Sequence, residues 1–456
     1  MKKVSSKPNI LLLLIDSLRA DRLYQTKLKT AKTPNMDSLI KNGICFSQAI
    51  SSSDGTVFSM ATVLTGSYPY KTKVASNRLH KIHSKVKTYV TLLRESGYNT
   101  YSITYDTTGV HRFAQDFEHK TPYSIGSNLY NGFGNRIIKF IDSLKDPWLL
   151  YIHLEDLHAP FKAPSEFDND KYGVNQYDRI ISGIDSWLGR VLEKINHNNT
   201  LIVITSDHGD YIPTIYRENN VINFERGLID DIQTKIGKKI PPLIRNKLIK
   251  IRDKAKRKSI LSKAKNLHLT RYEERDLTLM RANPGDQSYL YDDMVHVPLI
   301  LSGKTINSPK VVSQQVGLID IFPTLVDIIG IPNIPQVHGR SLLPLIKGDV
   351  MDEKPVYLES TAKMKKSHGD VIGIRTSNFK YFRNTDNPNE NVNLYDLQND
   401  PFEEHNIAIS RQEVIKTMEQ TLTELKKDSV NEEKQEEMSE EEIKKIENEL
   451  RKLGYM

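Results

Sequence analysis

PNILLLLIDSLRADRL, residues 8–23, decides the fold. Residues 10–15 are apolar without interruption and without polar alternation, the pattern of a central strand in a parallel sheet covered on both faces. Asp16 ends the run. In open α/β sheets ligands gather outside the carboxyl ends of the strands, so an acid there is placed to hold a metal ion or a substrate. Capping is the alternative use of Asp16, because SLRADRL reads as helical and aspartate favours N-caps.

The chain has 456 residues, 27% of them charged, and a formal net charge of +7. That length accommodates one large α/β core with additions, and the basic balance suits anionic substrates or surfaces. No nucleic-acid partner is expected. The single cysteine, Cys45, excludes an internal disulfide framework and a multi-thiolate zinc site, and points to a cytoplasmic location. The basic start MKKVSSKPNI is followed by an apolar run shorter than the roughly 7–15 residues of a secretory core, so no signal peptide is expected. No stretch approaches the roughly 20 apolar residues of a membrane span.

Further along, TPNMDSLIKNGICFSQAIS (33–51) reads as a helix opened by proline and closed by Asn42-Gly43, then a short strand over 44–49. SSSDGTVFSMATVLTGSYP (51–69) reads as a hydroxyl-rich turn feeding a helix N-terminus, where free N–H groups favour an anion; Thr56 and Ser59 are the hydroxyls nearest that start. The pattern repeats as helix 89–97 and strand 98–105, then helix 137–144 and strand 148–154. That last strand leads into HLEDLHAPF, with His153, Glu155, Asp156 and His158. An amphipathic helix over 177–195 precedes the strand 201–205, which ends in Ser206-Asp207-His208-Gly209-Asp210. Alternation at this spacing predicts a doubly wound, mostly parallel sheet.

Residues 211–285 interrupt that rhythm. Within them 235–265 is strongly basic, with Leu243, Ile244, Leu248 and Ile251 at helical spacing, and reads as an amphipathic basic helix: a peripheral membrane contact or a lid on its own protein. The core resumes with YLYDDMVHVPLIL (289–301) and a helix over 316–329, and His338-Gly339-Arg340 leads to a short helix. Asp292 and Asp293 read as caps or solvated charges, and Asp210 as a loop residue. Strand-like runs at 356–359, 371–375, 380–382 and 393–395 predict a small antiparallel sheet. The expected organisation is thus a domain over 1–345 interrupted by 211–285, a C-terminal subdomain over 346–430, and a charged tail over 431–456. In that tail Ser439 and Glu442 form a capping box.

Three strand ends therefore carry Asp16, Asp207-His208 and His153 with His158, and a hydroxyl-bearing turn carries Thr56. Carboxylates and imidazoles at strand termini suit a divalent cation, beside which a hydroxyl can become a nucleophile. In this order the segments resemble the sulfatase branch of the alkaline phosphatase superfamily. PNILLLLIDSLRADRL is similar to its first strand and metal acid, TVFSMATVLTGSYP to its nucleophile motif, YIHLEDLHAPF to its substrate-histidine strand and ITSDHGD to its second metal pair. YDDMVHVPLIL, LIDIFPTLVDIIGIP, HGRSLLPLI and LYDLQNDPFEEHNIA resemble the later segments of the family.

The resemblance implies an α/β enzyme dependent on Ca2+ or Mn2+ that acts on an anionic sulfate or phosphate ester, glycan- or lipid-linked. Asp16, Asp207 and His208 would hold the metal, and Thr56, His158 and Lys71 would be catalytic. His153, His296 and Lys73 would bind substrate. Three positions depart from the family pattern. Thr56 stands at the nucleophile position, with Phe58, Ser59 and Met60 where hydrolytic sulfatases carry proline, a small residue and arginine. Threonine cannot yield a formylglycine aldehyde, since oxidation of its secondary alcohol gives a ketone, and it resembles instead the phosphothreonine of phosphoglycerol and phosphoethanolamine transferases. Ser17 replaces a second aspartate, and YPYKTKV lacks a histidine-glycine pair. Hydrolase, transferase and a catalytically silent binding protein all remain open at this point.

Overall fold

The computed structural model describes residues 7–24, 29–72, 74, 82, 86–105, 113–124, 127–159, 161–217, 220–224, 262, 264, 267–279, 288–306, 308–332, 334–361 and 370–427. Lys73, the basic segment 235–265 apart from residues 262 and 264, and the tail 431–456 lie outside the described residues, and with them the expected membrane contact through Leu243, Ile244, Leu248 and Ile251 and the Ser439 capping box.

In chain order the strands are β1 (Asn9–Ile15), β2 (Ile44–Ile50), β3 (Asn99–Tyr105), β4 (His119–Tyr123), β5 (Trp148–Leu154), β6 (Thr200–Thr205), β7 (Thr214–Arg217), β8 (Asn220–Asn223), β9 (His296–Gly303), β10 (Lys310–Val312), β11 (Val316–Gly317), β12 (Val356–Glu359), β13 (Val371–Arg375), β14 (Phe379–Asn384) and β15 (Asn393–Asp396). Nine of them form one sheet in the order β10-β2-β9-β6-β1-β5-β3-β4, with β11 also on β2. All its pairings are parallel except those of β9, which runs antiparallel to β2 and β6. The expected doubly wound, mostly parallel sheet is present.

The unbroken apolar run explains the placement of β1 at the sheet's centre. Ile10, Leu12 and Leu14 face one core with Phe58, Leu64, Leu93 and Phe322, while Leu11, Leu13 and Ile15 face another with Leu39, Ile137, Ile181 and Trp187. All six are fully buried. Each such side chain contributes roughly 1.5–3 kcal/mol, so a polar residue on either side of β1 would forfeit core contact. The first core lies under the helices Thr56–Thr65, Tyr89–Glu95 and Ile321–Ile329, the second under Pro34–Asn42, Gly134–Ile141 and Gln176–Leu192.

Two sequence expectations are corrected. SLRADRL does not form a helix: Ser17 takes φ 64°, and only a 3-10 turn forms at Ala20–Arg22. Asp16 therefore caps nothing, and its backbone N–H continues the ladder to the Leu154 carbonyl at 2.9 Å. The helix expected from residue 316 begins at Ile321, because Val316 and Gly317 pair with Ala49 and Ile50 of β2.

The second sheet, β12-β13-β14-β15, is antiparallel as expected, and the helix Gln412–Lys426 packs against it through Met418 and Leu422. It reaches the turn that opens the helix Thr56–Thr65 directly. The Glu359 N–H donates to the Ser52 carbonyl at 2.9 Å, and the Thr361 N–H to Asp54 Oδ1 at 2.6 Å. Gly55 fits this junction because a Cβ there would lie 2.3 Å from Thr361 Oγ1.

Candidate active site

The central strands deliver their C-terminal residues to one place. β1 pairs with both β5 and β6, Leu14 facing His153 on one side and Thr205 on the other. Asp16 thus emerges two residues past Leu14, and Asp207 two past Thr205. Both carboxylates and His153 are fully buried, and His208 is nearly so. One donor atom from each of Asp16, His153 and Asp207 lies within 4.8 Å of the other two.

Each of the two carboxylates is held by one oxygen. Asp16 Oδ1 accepts from the Ser17 hydroxyl at 2.8 Å, and Asp207 Oδ1 accepts from the N–H groups of His208 at 2.9 Å and Ser17 at 3.3 Å. The other oxygens, Asp16 Oδ2 and Asp207 Oδ2, and His153 Nε2 are buried without a hydrogen-bond partner. Leaving such groups unsatisfied costs about 1–3 kcal/mol each, more for charged ones. Three orphaned donors converging at one spot fit a divalent cation, which would satisfy all three at once.

His208 joins them, its Nε2 lying 3.5 Å from Asp207 Oδ2 and 3.7 Å from Asp16 Oδ1. Nδ1–H donates to the Gly209 carbonyl at 2.7 Å, which fixes the ring and turns Nε2 inward. Ser206 braces the turn, accepting from Leu18 N–H at 2.9 Å and donating to the His208 carbonyl at 2.7 Å. Gly209 is required here, since a Cβ would meet the Asp293 carbonyl at 2.0 Å. Burial alone would lower the His208 pKa, but Asp207, Asp16 and the Gly209 carbonyl together push it up to about 9. Asp16 shows the complementary effect: burial raises it, yet contact with His153 and the charges of His208 and His158 hold it well below the usual carboxylate range.

Thr56 opens the helix Thr56–Thr65, and its Oγ1 lies 3.2 Å from His208 Nε2. The rival hydroxyls point elsewhere. Ser59 is fully buried against Ser51 Oγ at 2.9 Å and the Ser53 carbonyl at 3.3 Å, and Ser53 Oγ meets Thr361 Oγ1 at 3.3 Å. Half-buried His158 lies near enough for its charge to act on Asp16, and its Nδ1 holds the Ala159 carbonyl at 3.0 Å.

Two other expected residues have different surroundings. His296 turns Nε2 onto the Ser47 carbonyl at 2.8 Å, bracing β9 against β2. Lys71 lies on the exposed side of the short helix Pro69–Thr72.

The loop after β1 carries a network that the sequence reading assigned to caps and solvent. Buried Arg19 pairs with Asp293 at 2.7 Å, Asp21 at 2.6 Å and Asp276 at 3.4 Å, and it bonds Tyr272. Arg275 holds the other Asp293 oxygen at 2.7 Å. Asp292 pairs with Arg375 at 2.8 Å and with buried Lys380. These acids are ion-pair hubs: they tie the helix Arg271–Leu279 and the second sheet to the loop that carries Asp16. Glu155, beside the site, is pushed up to about 8 by burial and by the charge of Asp16.

Comparison with known proteins follows the same residues. Residues 8–331 match the Sulfatase family model, and residues 285–428 match that of the N-sulphoglucosamine sulphohydrolase C-terminal region. Arylsulfatase K of Gallus gallus is 23% identical over 462 residues, covering 92% of this chain and 82% of that protein. Choline-sulfatase of Rhizobium meliloti is 23% identical over 467 residues, covering 89% and 83%. Among solved structures, a putative sulfatase, yidJ, from Bacteroides fragilis superimposes with TM-score 0.69 at 18% identity, covering 95% of this chain and 98% of that one. Phosphonate monoester hydrolase of Agrobacterium radiobacter gives 0.66 at 16% identity, covering 93% and 96%. A protein solved with its substrate D-glucosamine-2-N,6-O-disulfate gives 0.64 at 17% identity, covering 93% and 98%. The family match runs from the first strand past the helix Ile321–Ile329 and takes in Asp16, Thr56, His153, Asp207 and His208: the chain belongs to the sulfatase family.

Proposed function

We propose that this protein is a divalent-metal-dependent hydrolase of sulfate or phosphate esters that works through a covalent intermediate on Thr56. The observation that carries the proposal is the 3.2 Å contact between Thr56 Oγ1 and His208 Nε2, at a helix N-terminus and against the orphaned donors of Asp16, Asp207 and His153. A dication held there supplies Lewis-acid charge, which lowers the hydroxyl pKa and offsets charge on the ester oxygens. Thr56 Oγ loses its proton to solvent and bonds to the sulfur or phosphorus as the ester bond to the leaving oxygen breaks. The first-turn N–H groups of the helix Thr56–Thr65 face the anionic group, a placement that the helix dipole favours. His158 holds Ala159 through Nδ1, so proton delivery to the leaving oxygen falls to Nε2. Exposed Lys71 is assigned the role of a second cation toward the ester oxygens. Water then cleaves the Thr56 ester and restores the hydroxyl; transfer to an acceptor hydroxyl is the same step with a different nucleophile.

The test is turnover of p-nitrophenyl sulfate, p-nitrophenyl phosphate, a phosphodiester and D-glucosamine-2-N,6-O-disulfate, the last included because a fold neighbour binds it. Each is assayed with Ca2+, Mn2+ or Zn2+, with mass analysis of the peptide bearing Thr56. Metal-dependent turnover that Thr56→Ala abolishes, with a sulfo or phospho adduct on Thr56, is the expected result. Wild-type turnover in Thr56→Ala overturns the nucleophile.

A further inference from the structure

The family resemblance assigns His153 to substrate; its surroundings give it a different task. β5 alternates faces, and His153 shares a face with Leu149 and Tyr151, the side on which the helix Thr56–Thr65 packs. Its Nδ1 lies 3.1 Å from Tyr151 Oη, and that hydroxyl in turn donates to Met60 Sδ at 3.1 Å. With the tyrosine hydroxyl directed at sulfur, the phenol oxygen is open to accept from Nδ1–H, and that is the tautomer a cation at Nε2 requires. Nε2 is then the unprotonated nitrogen, its lone pair 3.5 Å from Asp16 Oδ2 and without a hydrogen-bond partner. A ring fixed through its far nitrogen, with the near one bare, is the arrangement of a metal-ligating histidine. A histidine that bound an anionic ester would need an N–H at Nε2, and full burial beside two carboxylates leaves the ring facing the cation instead.

The neighbouring position supports the same assignment. Ser17 offers no carboxylate, and its hydroxyl is committed to Asp16 Oδ1. The first-strand turn thus provides one acid, and the donor set is completed from the adjacent strand.

We infer that His153 is a metal ligand, that the site comprises Asp16, Asp207, His153 and His208, and that its two imidazoles select Zn2+ or Mn2+ over Ca2+. Calcium takes six to eight oxygens in a loose shell, whereas two nitrogens and two monodentate carboxylates make a compact set suited to a first-row transition dication. Tyr151 is a positioning residue for this site, acting through Nδ1. The inference rests on the reading that the strand ends hold a dication, and it is read in metal binding alone. Failure of Thr56 as nucleophile therefore leaves it intact.

The experiment is metal binding to the chelator-stripped full chain without substrate, by equilibrium dialysis with elemental analysis and by thermal shift, using Zn2+, Mn2+ and Ca2+. Wild type should bind one Zn2+ or Mn2+ at least tenfold more tightly than Ca2+. His153→Ala should lose more than the roughly 10–100-fold that removal of an outer partner costs, and Tyr151→Phe should fall within that range. His153→Asp restores an all-oxygen partner on β5 and should narrow or reverse the preference, with a shift in the visible absorption of bound Co2+. The wild-type preference needs no variant to fold. Equal or tighter Ca2+ binding, unchanged Zn2+ and Mn2+ affinity in a folded His153→Ala, or no bound dication at all overturns the proposal.

Discussion

Removing His208 from the metal-stripped protein should abolish a pH-dependent part of its stability. The folded-state pKa is raised from the ordinary 6.5 to about 9 by Asp207, Asp16 and the Gly209 carbonyl acting against burial. Between those values the folded state holds a proton that the unfolded chain has released, so unfolding stability declines as pH rises. The contribution is complete below pH 6.5, shrinks through the window and is gone above 9. At about 1.4 kcal/mol per unit it amounts to about 3 kcal/mol, with little loss to solvent because the side chain is only 11% exposed. Denaturant unfolding of wild type and His208→Gln in chelator, from pH 6 to 10, should give a stability difference that is largest at pH 6 and falls by about 3 kcal/mol by pH 10. Any fixed cost of the substitution cancels from that trend. A difference that stays flat or grows with pH would refute the ion-pair account of the site. With Mn2+ or Zn2+ present the sign reverses for binding: the proton must leave Nε2 first, so affinity should rise across the same window.

Other outcomes follow from particular contacts. Thr56→Ala should lose turnover while its melting temperature stays near wild type, because the hydroxyl touches only His208 Nε2 among the described contacts; Ser59→Ala should keep turnover but melt earlier, having lost buried hydrogen bonds. Arg19→Ala takes the counter-charge from buried Asp276 and from one oxygen of Asp293 and should cost about 3–5 kcal/mol in denaturant unfolding. Leu13→Ala, at a fully buried position in β1, should cost about 2–5 kcal/mol in the same assay. Gly209→Ala forces a Cβ onto the Asp293 carbonyl and should weaken Zn2+ binding in dialysis by displacing Asp207 and His208.

What the sequence discloses and what it conceals divide along a physical line. The strands that build the site are legible because burial on both faces leaves only apolar residues: Ile10, Leu12 and Leu14 serve one core, Leu11, Leu13 and Ile15 the other, and the run itself announces β1. Asp16 and Asp207-His208 are legible because a charge placed just after such a run has few structural uses. His153 is different. Lying within a buried strand, it has the pattern of a core position, and its task depends on facing Leu14 across the β1–β5 pairing, on Tyr151 two residues back and on Met60 from a distant helix. None of these relations is periodic in sequence. The acids at 292 and 293 are misread for a related reason: their partners, Arg19, Arg275, Arg375 and Lys380, lie between 18 and 274 positions away, so local composition suggests solvent where the fold supplies counter-charge. The helix Gln412–Lys426 goes unread, and its contact with the second sheet through Met418 and Leu422 is made only in the fold. That sheet in turn fixes Thr361 against Asp54 and Gly55, so the turn presenting Thr56 is shaped by residues some 300 positions downstream. The turn presenting Thr56 is thus braced by β12, and the loops carrying Asp16 and Asp207 by Ser206 and Arg19. Asp293 on Arg19 and Asp292 on Arg375 and Lys380 join the two braces, so a substitution in either should be felt in the other.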